Sequence, residues 1–285
     1  MNDSPRIQSM QNPKVKDVVK LGRRPYRDES GLLVVEGFRE LRRALDNRWP
    51  PRWLFFCPPL YLGKNEPEQV ERCRAAGAEC FECSEPVFRK MAYRDRPEGL
   101  LAVGPQVRKR LDELPLAAAD PLIVIAESVE KPGNLGTILR SADAAGASAV
   151  LVCDRTTDIN NPNVVRASIG TLFSVPVVET ASEDALDWVR ARGIRTLAAT
   201  PHADREYTQA DMTGGTAIIL GSEQYGLTPF WMERADQKVR IPMLGQADSL
   251  NVSAAATILL YEAVRQRRAA AHSGGSPKRS PPDSR

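Results

Sequence analysis

The chain has 285 residues, 42% hydrophobic and 26% charged, which suits a globular protein with a sizeable core. No apolar run approaches the ~18 residues of a membrane-spanning helix. Residues 1–14 lack the apolar stretch of a signal peptide, so a cytoplasmic protein is expected. The net charge is only +3, but residues 1–110 hold 22 Lys+Arg against 15 Asp+Glu, and the remainder holds 17 against 21. A basic front on a near-neutral chain fits contact with phosphate backbones, although such charges also solvate helix faces.

In chain order, Gln11-Asn12-Pro13 opens a helix whose Val15, Val18, Val19 and Leu21 fall on one face. A basic loop is expected at residues 23–27, then a short strand at 32–35. A second amphipathic helix follows over 38–45, a strand over 53–57, helices over 66–76 and 87–91, and a strand over 100–103. Strands alternating with helices make residues 1–104 a small α/β domain. Residues 105–120 are polar and proline-punctuated, which suits a linker.

From Pro121 a second α/β series runs to residue 271. Strands are expected at 122–126, 149–153, 175–178, 196–199, 217–221 and 239–242, with helices at 135–145, 164–170, 183–192 and 249–268. The runs LIVIA, AVLVC and AIILG scarcely alternate, which points to a parallel sheet covered on both faces. Residues 272–285, rich in Ser, Pro and Gly, read as a disordered tail.

The common enzyme apparatus is missing. There is no G-x-G-x-x-G after a first strand and no phosphate-binding G-x-x-x-x-G-K-[ST] loop. The two histidines, His202 and His272, argue against a Ser-His-Asp hydrolase or a histidine metal site. Cys73, Cys80 and Cys83 with Cys57 could supply four thiolates. However, a second CxxC pair is missing and Cys57 lies in an apolar run, so no metal is expected. An odd count of five cysteines points to reduced thiols.

Three clusters stand out. Pro132-Gly133 makes a turn and Asn134 can cap the following helix, with Arg140 about two turns in. Residues 217–229 run from an apolar strand into Gly221-Ser222-Glu223 and Gly226, where glycine lets backbone approach a ligand. Residues 241–253 lead from a strand end through a polar loop into a helix N-terminus that offers free N–H donors. Each alone is equally an ordinary turn or capped helix.

In this order and spacing the clusters resemble the three motifs of the TrmH/SpoU family of SPOUT RNA methyltransferases. The likeness covers about residues 122–268 and includes Asn163-Val-Val-Arg-Ala-Ser168 and Gly170. The front segment resembles the L30e-like substrate-binding domain of the ribosomal branch through Gln11-Asn12-Pro13-Lys14, Lys16, Val35-Glu36-Gly37 and Gly99-Leu100-Leu101-Ala102-Val103. Lys131-Pro132 stands where many ribosomal members carry Asp-Pro and is closer to the tRNA branch.

The resemblance implies an α/β fold with a deep trefoil knot, a homodimer with the last helix in its interface, and S-adenosylmethionine as cofactor. The implied cofactor loops are Ala199-Thr200, Leu220-Gly221-Ser222-Glu223, Ile241 to Met243, and Ser249-Leu250-Asn251-Val252. It also implies ribose 2′-O-methylation of structured RNA, ribosomal RNA first, with protection from an antibiotic as a sub-case. Transfer-RNA methylation and a non-catalytic ribosome-assembly role are the alternatives. Arg140 would clamp a phosphate and stabilise the developing alkoxide, since an arginine is a poor base; a role as the base itself stays open. Asn134, Glu223, Ser249 and Asn251 would orient the reacting groups, and Arg166 would bind a second phosphate.

Overall fold

A computed structural model describes residues 4–116 and 118–273. Its front part comprises β1 (Arg6–Ile7), α1 (Pro13–Lys20), α2 (Arg24–Ser30), β2 (Leu32–Glu36), α3 (Phe38–Asp46) and β3 (Trp53–Phe56). It continues with α4 (Glu66–Ala75), β4 (Glu79–Cys83), α5 (Glu85–Met91) and β5 (Leu100–Pro105). The sheet runs β1-β4-β3-β5-β2, with β5 antiparallel to both β3 and β2. Strand alternation explains the burial: Leu33, Val35, Leu54, Phe56, Leu100 and Ala102 face one core, and Val34, Trp53, Phe55, Leu101 and Val103 the other.

The second part comprises β6 (Leu122–Glu127), α6 (Pro132–Ala144), β7 (Ala149–Cys153), α7 (Pro162–Ala167), β8 (Val177–Thr180) and α8 (Ser182–Arg190). After these come β9 (Arg195–Ala199), β10 (Thr216–Leu220), α9 (Pro229–Arg234), β11 (Gln237–Val239) and α10 (Val252–Ser273). All six strands are parallel, in the order β11-β9-β10-β6-β7-β8. Val124, Val150 and Ile218 pack under α6 and α10, while Ile125, Leu151 and Ile219 pack against α8 and Trp231 on the other face. The α/β class with a parallel sheet buried on both faces therefore holds.

The two parts share one core. Leu33, Leu41 and Trp49 of the front part belong to the same apolar cluster as Leu122, Leu172 and Leu260. Trp49 and Phe173 bring their ring centroids to 5.3 Å across the boundary.

Several local expectations change. Residues 24–30 form α2 rather than a basic loop, and Arg27 is buried there. Val19 points to solvent, while Val15, Val18 and Leu21, which follow one another in three-residue steps, form the buried face. The strand expected at 239–242 ends at Val239, and β1, β4 and α9 complete the fold. Within the expected linker, Pro105 closes β5 and residues 111–113 form a 3₁₀ turn. Of the expected tail, His272 and Ser273 end α10, and residues 274–285 lie outside the described residues.

Candidate active site

In an open parallel sheet, ligands bind beyond the carboxyl ends of strands where successive connections diverge. Here β6 leads outward to β7 and β8, while its other neighbour, β10, leads toward β11. The crevice between the ends of β6 and β10 is therefore where a site is expected. Glu127, at the end of β6, reaches across it and accepts from the Thr228 N–H at 2.9 Å and the Thr228 hydroxyl at 2.6 Å. Burial raises the Glu127 carboxyl above its ordinary value, partly offset by those two bonds.

The three sequence clusters meet at this crevice. Glu223, just past β10, accepts the backbone N–H of Glu130 at 2.9 Å and of Lys131 at 3.1 Å. It also accepts the side-chain amide of Asn134 at 2.7 Å. Asn134 in turn accepts from the Asn251 amide at 3.1 Å. Burial alone would raise the Glu223 carboxyl, but the N–H of Glu130, the Asn134 amide and the N–H of Lys131 outweigh it and hold the group below its ordinary value. It is thus an ionised acceptor at neutral pH.

Each partner is set locally. Helix α6 begins at Pro132, so its cap residue is Lys131, which makes no side-chain cap bond. Asn134 lies in the first turn and spends its side chain on Glu223 and Asn251, which corrects the expectation that it caps α6. Asn251 is the residue that caps: its Oδ1 accepts the Ser253 N–H at 2.9 Å and the Ser253 hydroxyl at 2.6 Å, opening α10. Farther along, Ser141 and Thr257 share a hydrogen bond of 2.7 Å that keeps α6 against α10. A side chain on Gly221 would collide with the backbone of Gly226 and Leu227, where Ser222 and Gly226 exchange backbone bonds of 3.0 and 3.1 Å. Glycine is needed there for that close approach.

The loops after β9, β10 and β11 lie side by side because β11, β9 and β10 are neighbours and parallel. Thr200 is buried and donates its N–H to Val239 at 3.0 Å, while Ala199 is half-buried. Leu220 and Gly221 are buried, Ser222, Ile241 and Met243 half-buried, Ser249 and Leu250 exposed, and Val252 at the edge of the core. Among the described residues, no backbone N–H from Met243 to Leu250 finds a partner.

Three expected site residues stand outside the network. Arg140 is exposed on α6, six residues and so ~9 Å of helix beyond Asn134. Among the described residues, no ion pair or hydrogen bond is made by the Arg140 side chain, by that of Arg166, exposed on α7, or by that of Ser249. Helices α6 and α7 are pressed together at Gly136, where a Cβ would lie 2.5 Å from the Ala167 Cβ. Sequence reasoning missed Glu127, Thr228 and the turn at residues 129–131. A charged residue closing the apolar run LIVIAE was the available signal.

No group of three His, Cys, Asp or Glu side chains suited to a metal occurs among the described residues. All five cysteines are buried free thiols, and burial pushes Cys73 and Cys83 up to about 12. No helix among the described residues is long and apolar enough to cross a membrane.

Residues 121–261 match the model of the SpoU rRNA Methylase family, and residues 12–102 match an MRM3-like substrate binding domain. A 23S rRNA (uridine(2479)-2′-O)-methyltransferase of Streptomyces viridochromogenes is 36% identical over 259 residues, covering 87% of each chain. This chain belongs to the SpoU rRNA methylase family. A further relative of this SpoU-family chain, the 23S rRNA (guanosine(2553)-2′-O)-methyltransferase RlmP of Bacillus subtilis (strain 168), is 31% identical, covering 90% of this chain and 97% of its own. Among solved structures, an AdoMet-bound rRNA methyltransferase from Sinorhizobium meliloti superposes with a TM-score of 0.83 at 32% identity, covering 92% of this chain and 98% of that one. The likeness therefore extends over the front part as well as the catalytic part.

Proposed function

We propose that this SpoU-family chain uses S-adenosylmethionine to methylate a ribose 2′-hydroxyl in large-subunit ribosomal RNA. The observation that carries the reading is the hydrogen-bond chain Asn251–Asn134–Glu223, which joins all three family-like motifs at the end of β6 and β10. Residues 1–104 select the RNA, residues 105–120 connect, and residues 121–271 carry the chemistry, in a cytoplasmic homodimer with the family's knot.

The donor set fits the cofactor. Free backbone N–H groups at residues 243–250 suit the polar edges of an adenosine, and Leu220, Ile241, Met243 and Leu250 offer it apolar surface. The required glycine at Gly221 brings backbone close without a side chain in the way. Ala199, Thr200, Ser222, Ser249 and Val252 complete the cradle. When bound there, S-adenosylmethionine supplies an electrophilic sulfonium methyl.

The chain's own residues have the remaining work. Glu223 fixes Asn134 and the turn at 130–131, and Asn134 and Asn251 orient the ribose. The Arg140 side chain, which pairs with none of the described residues, is available to clamp the phosphate and to stabilise the alkoxide developing on the 2′-oxygen. Arg166 binds a second phosphate. Lys131-Pro132 favours a second reading, ribose methylation of tRNA. Mass-spectrometric mapping of 2′-O-methyl sites in RNA from cells with and without the protein separates the two. A site lost from large-subunit rRNA supports the first reading, and one lost from tRNA supports the second.

A further inference from the structure

The front and catalytic parts meet across a buried ion pair. Arg27 on α2 is 2% exposed; its Nε and Nη2 donate to Asp158 Oδ2 at 3.0 and 2.8 Å. Its Nη1 donates to the carbonyls of Leu21 and Gly22 at 2.8 and 3.0 Å, so the guanidinium is almost fully used. Asp158 lies in the loop between β7 and α7, and its Oδ1 accepts the Asn160 N–H at 2.8 Å. Asn160 exchanges two further bonds with the backbone of Val107, so this loop also holds the segment joining the two parts. An ion pair buried this deeply adds little stability over apolar residues of similar shape, because desolvation offsets the attraction. What it does is tie α2 of the front part to the loop before α7.

The same loop leads directly to the candidate active site. Thr156 donates its hydroxyl to the Val129 carbonyl at 2.8 Å, and Thr157 donates to the Glu130 carbonyl at 2.5 Å. Glu130 and Lys131 supply the two N–H groups that hold Glu223. The flanks of this turn are constrained too. Ser128 and Asp154 both have left-handed backbone, with φ of 50° and 49°, and the Ser128 hydroxyl donates to the Asp154 carbonyl at 3.2 Å. Such conformations persist where the surroundings over-determine them. A continuous set of contacts thus runs from α2 of the front part to Glu223, Asn134 and Asn251.

We propose that Arg27 is a positioning residue for methyl transfer. Paired with Asp158, it transmits the seating of the front part to the turn at residues 129–131 and so sets where Glu223 and Asn134 stand. It acts through the Asp158 loop and the Thr157–Glu130 bond, not by touching the RNA or the cofactor. Its kinetic consequence rests on the methyltransferase reading above; its structural consequence does not.

The test compares the full-length wild type with Arg27→Met/Asp158→Leu, which leaves no buried charge unpaired, and with Arg27→Lys, which keeps the charge but loses the fork. Hydrogen exchange is read at the Glu130 and Lys131 amides, and steady-state kinetics are run with ribosomal RNA and S-adenosylmethionine. The double variant should exchange those amides about tenfold faster. Its kcat should fall about tenfold while KM for S-adenosylmethionine stays within about twofold. Arg27→Lys should fall between it and wild type, and carries the test if the double variant does not fold. Unchanged exchange at Glu130 and Lys131 in a folded variant overturns the proposal, and accelerated exchange with unchanged kcat overturns its catalytic part. If the wild type transfers no methyl, the activity reading fails while the exchange comparison still decides the coupling.

Discussion

Glu223 accepts two backbone N–H groups and the Asn134 amide, which takes both oxygens of an ionised carboxylate. Glu223→Gln replaces one acceptor by a donor and leaves an N–H facing it. Losing a hydrogen bond to a charged group costs roughly 1.5–3 kcal/mol, so kcat/KM should fall about 10- to 100-fold in a methyl-transfer assay. The pH dependence follows from the lowered Glu223 carboxyl. A depressed acid pKa gives an arrangement that is complete above the ordinary value of 4.5 and lost only as pH falls through the lower folded value. Affinity for S-adenosylhomocysteine should therefore show no Glu223 titration between about pH 6 and about pH 9; a loss of affinity centred there, absent in Glu223→Gln, would contradict the assignment. The Arg140 side chain bonds to none of the described residues, so Arg140→Ala should leave cofactor affinity intact in calorimetry. Transfer should drop at least ~100-fold, as for loss of an oxyanion stabiliser; full activity would remove Arg140 from the mechanism.

At the scale of elements, Asn251 has two separable duties. Its Oδ1 caps α10 and its Nδ2 holds Asn134. Asn251→Asp keeps the cap and loses the donor, whereas Asn251→Ala loses both, including a cap of about 1 kcal/mol. Both variants should lower turnover, but only Asn251→Ala should lower the melting temperature, by about 2–4 °C. Equal melting temperatures for the two would show that the cap does not support α10. These double duties explain what the sequence could and could not disclose. The strands of the catalytic part were legible because their apolar runs are buried on both faces, and the three clusters were legible as turns and helix starts. Which amide caps and which one bridges was not, because Asn134 and Asn251 both sit near helix starts. The choice is made by Glu223, 89 residues from Asn134 in the chain. Arg27 misled for a related reason: in the run RRPYR it reads as one more solvated cation, and the carboxylate that pairs its charge in the core, Asp158, lies 131 residues away.

Over the whole molecule, the composition break after Gly104 suggests separable units, yet the packing joins them. Leu33 and Trp49 share a core with Leu122 and Leu260, and Arg27 seals the boundary. Thermal unfolding should accordingly show one calorimetric transition for both parts, with the calorimetric and van't Hoff enthalpies in agreement. Two resolved transitions would mean that the shared cluster does not couple them. This joining is what sequence periodicity could not reveal, since it reports which face of an element is apolar but not which element covers it. The central claim concerns the reaction itself, and its most direct measurement is transfer from isotopically labelled S-adenosylmethionine to large-subunit rRNA by the purified protein, followed by nucleoside analysis. The account predicts label in a single 2′-O-methylated nucleoside, abolished in Arg140→Ala. Label on a base, or none on any RNA from a protein that binds S-adenosylhomocysteine, would contradict it.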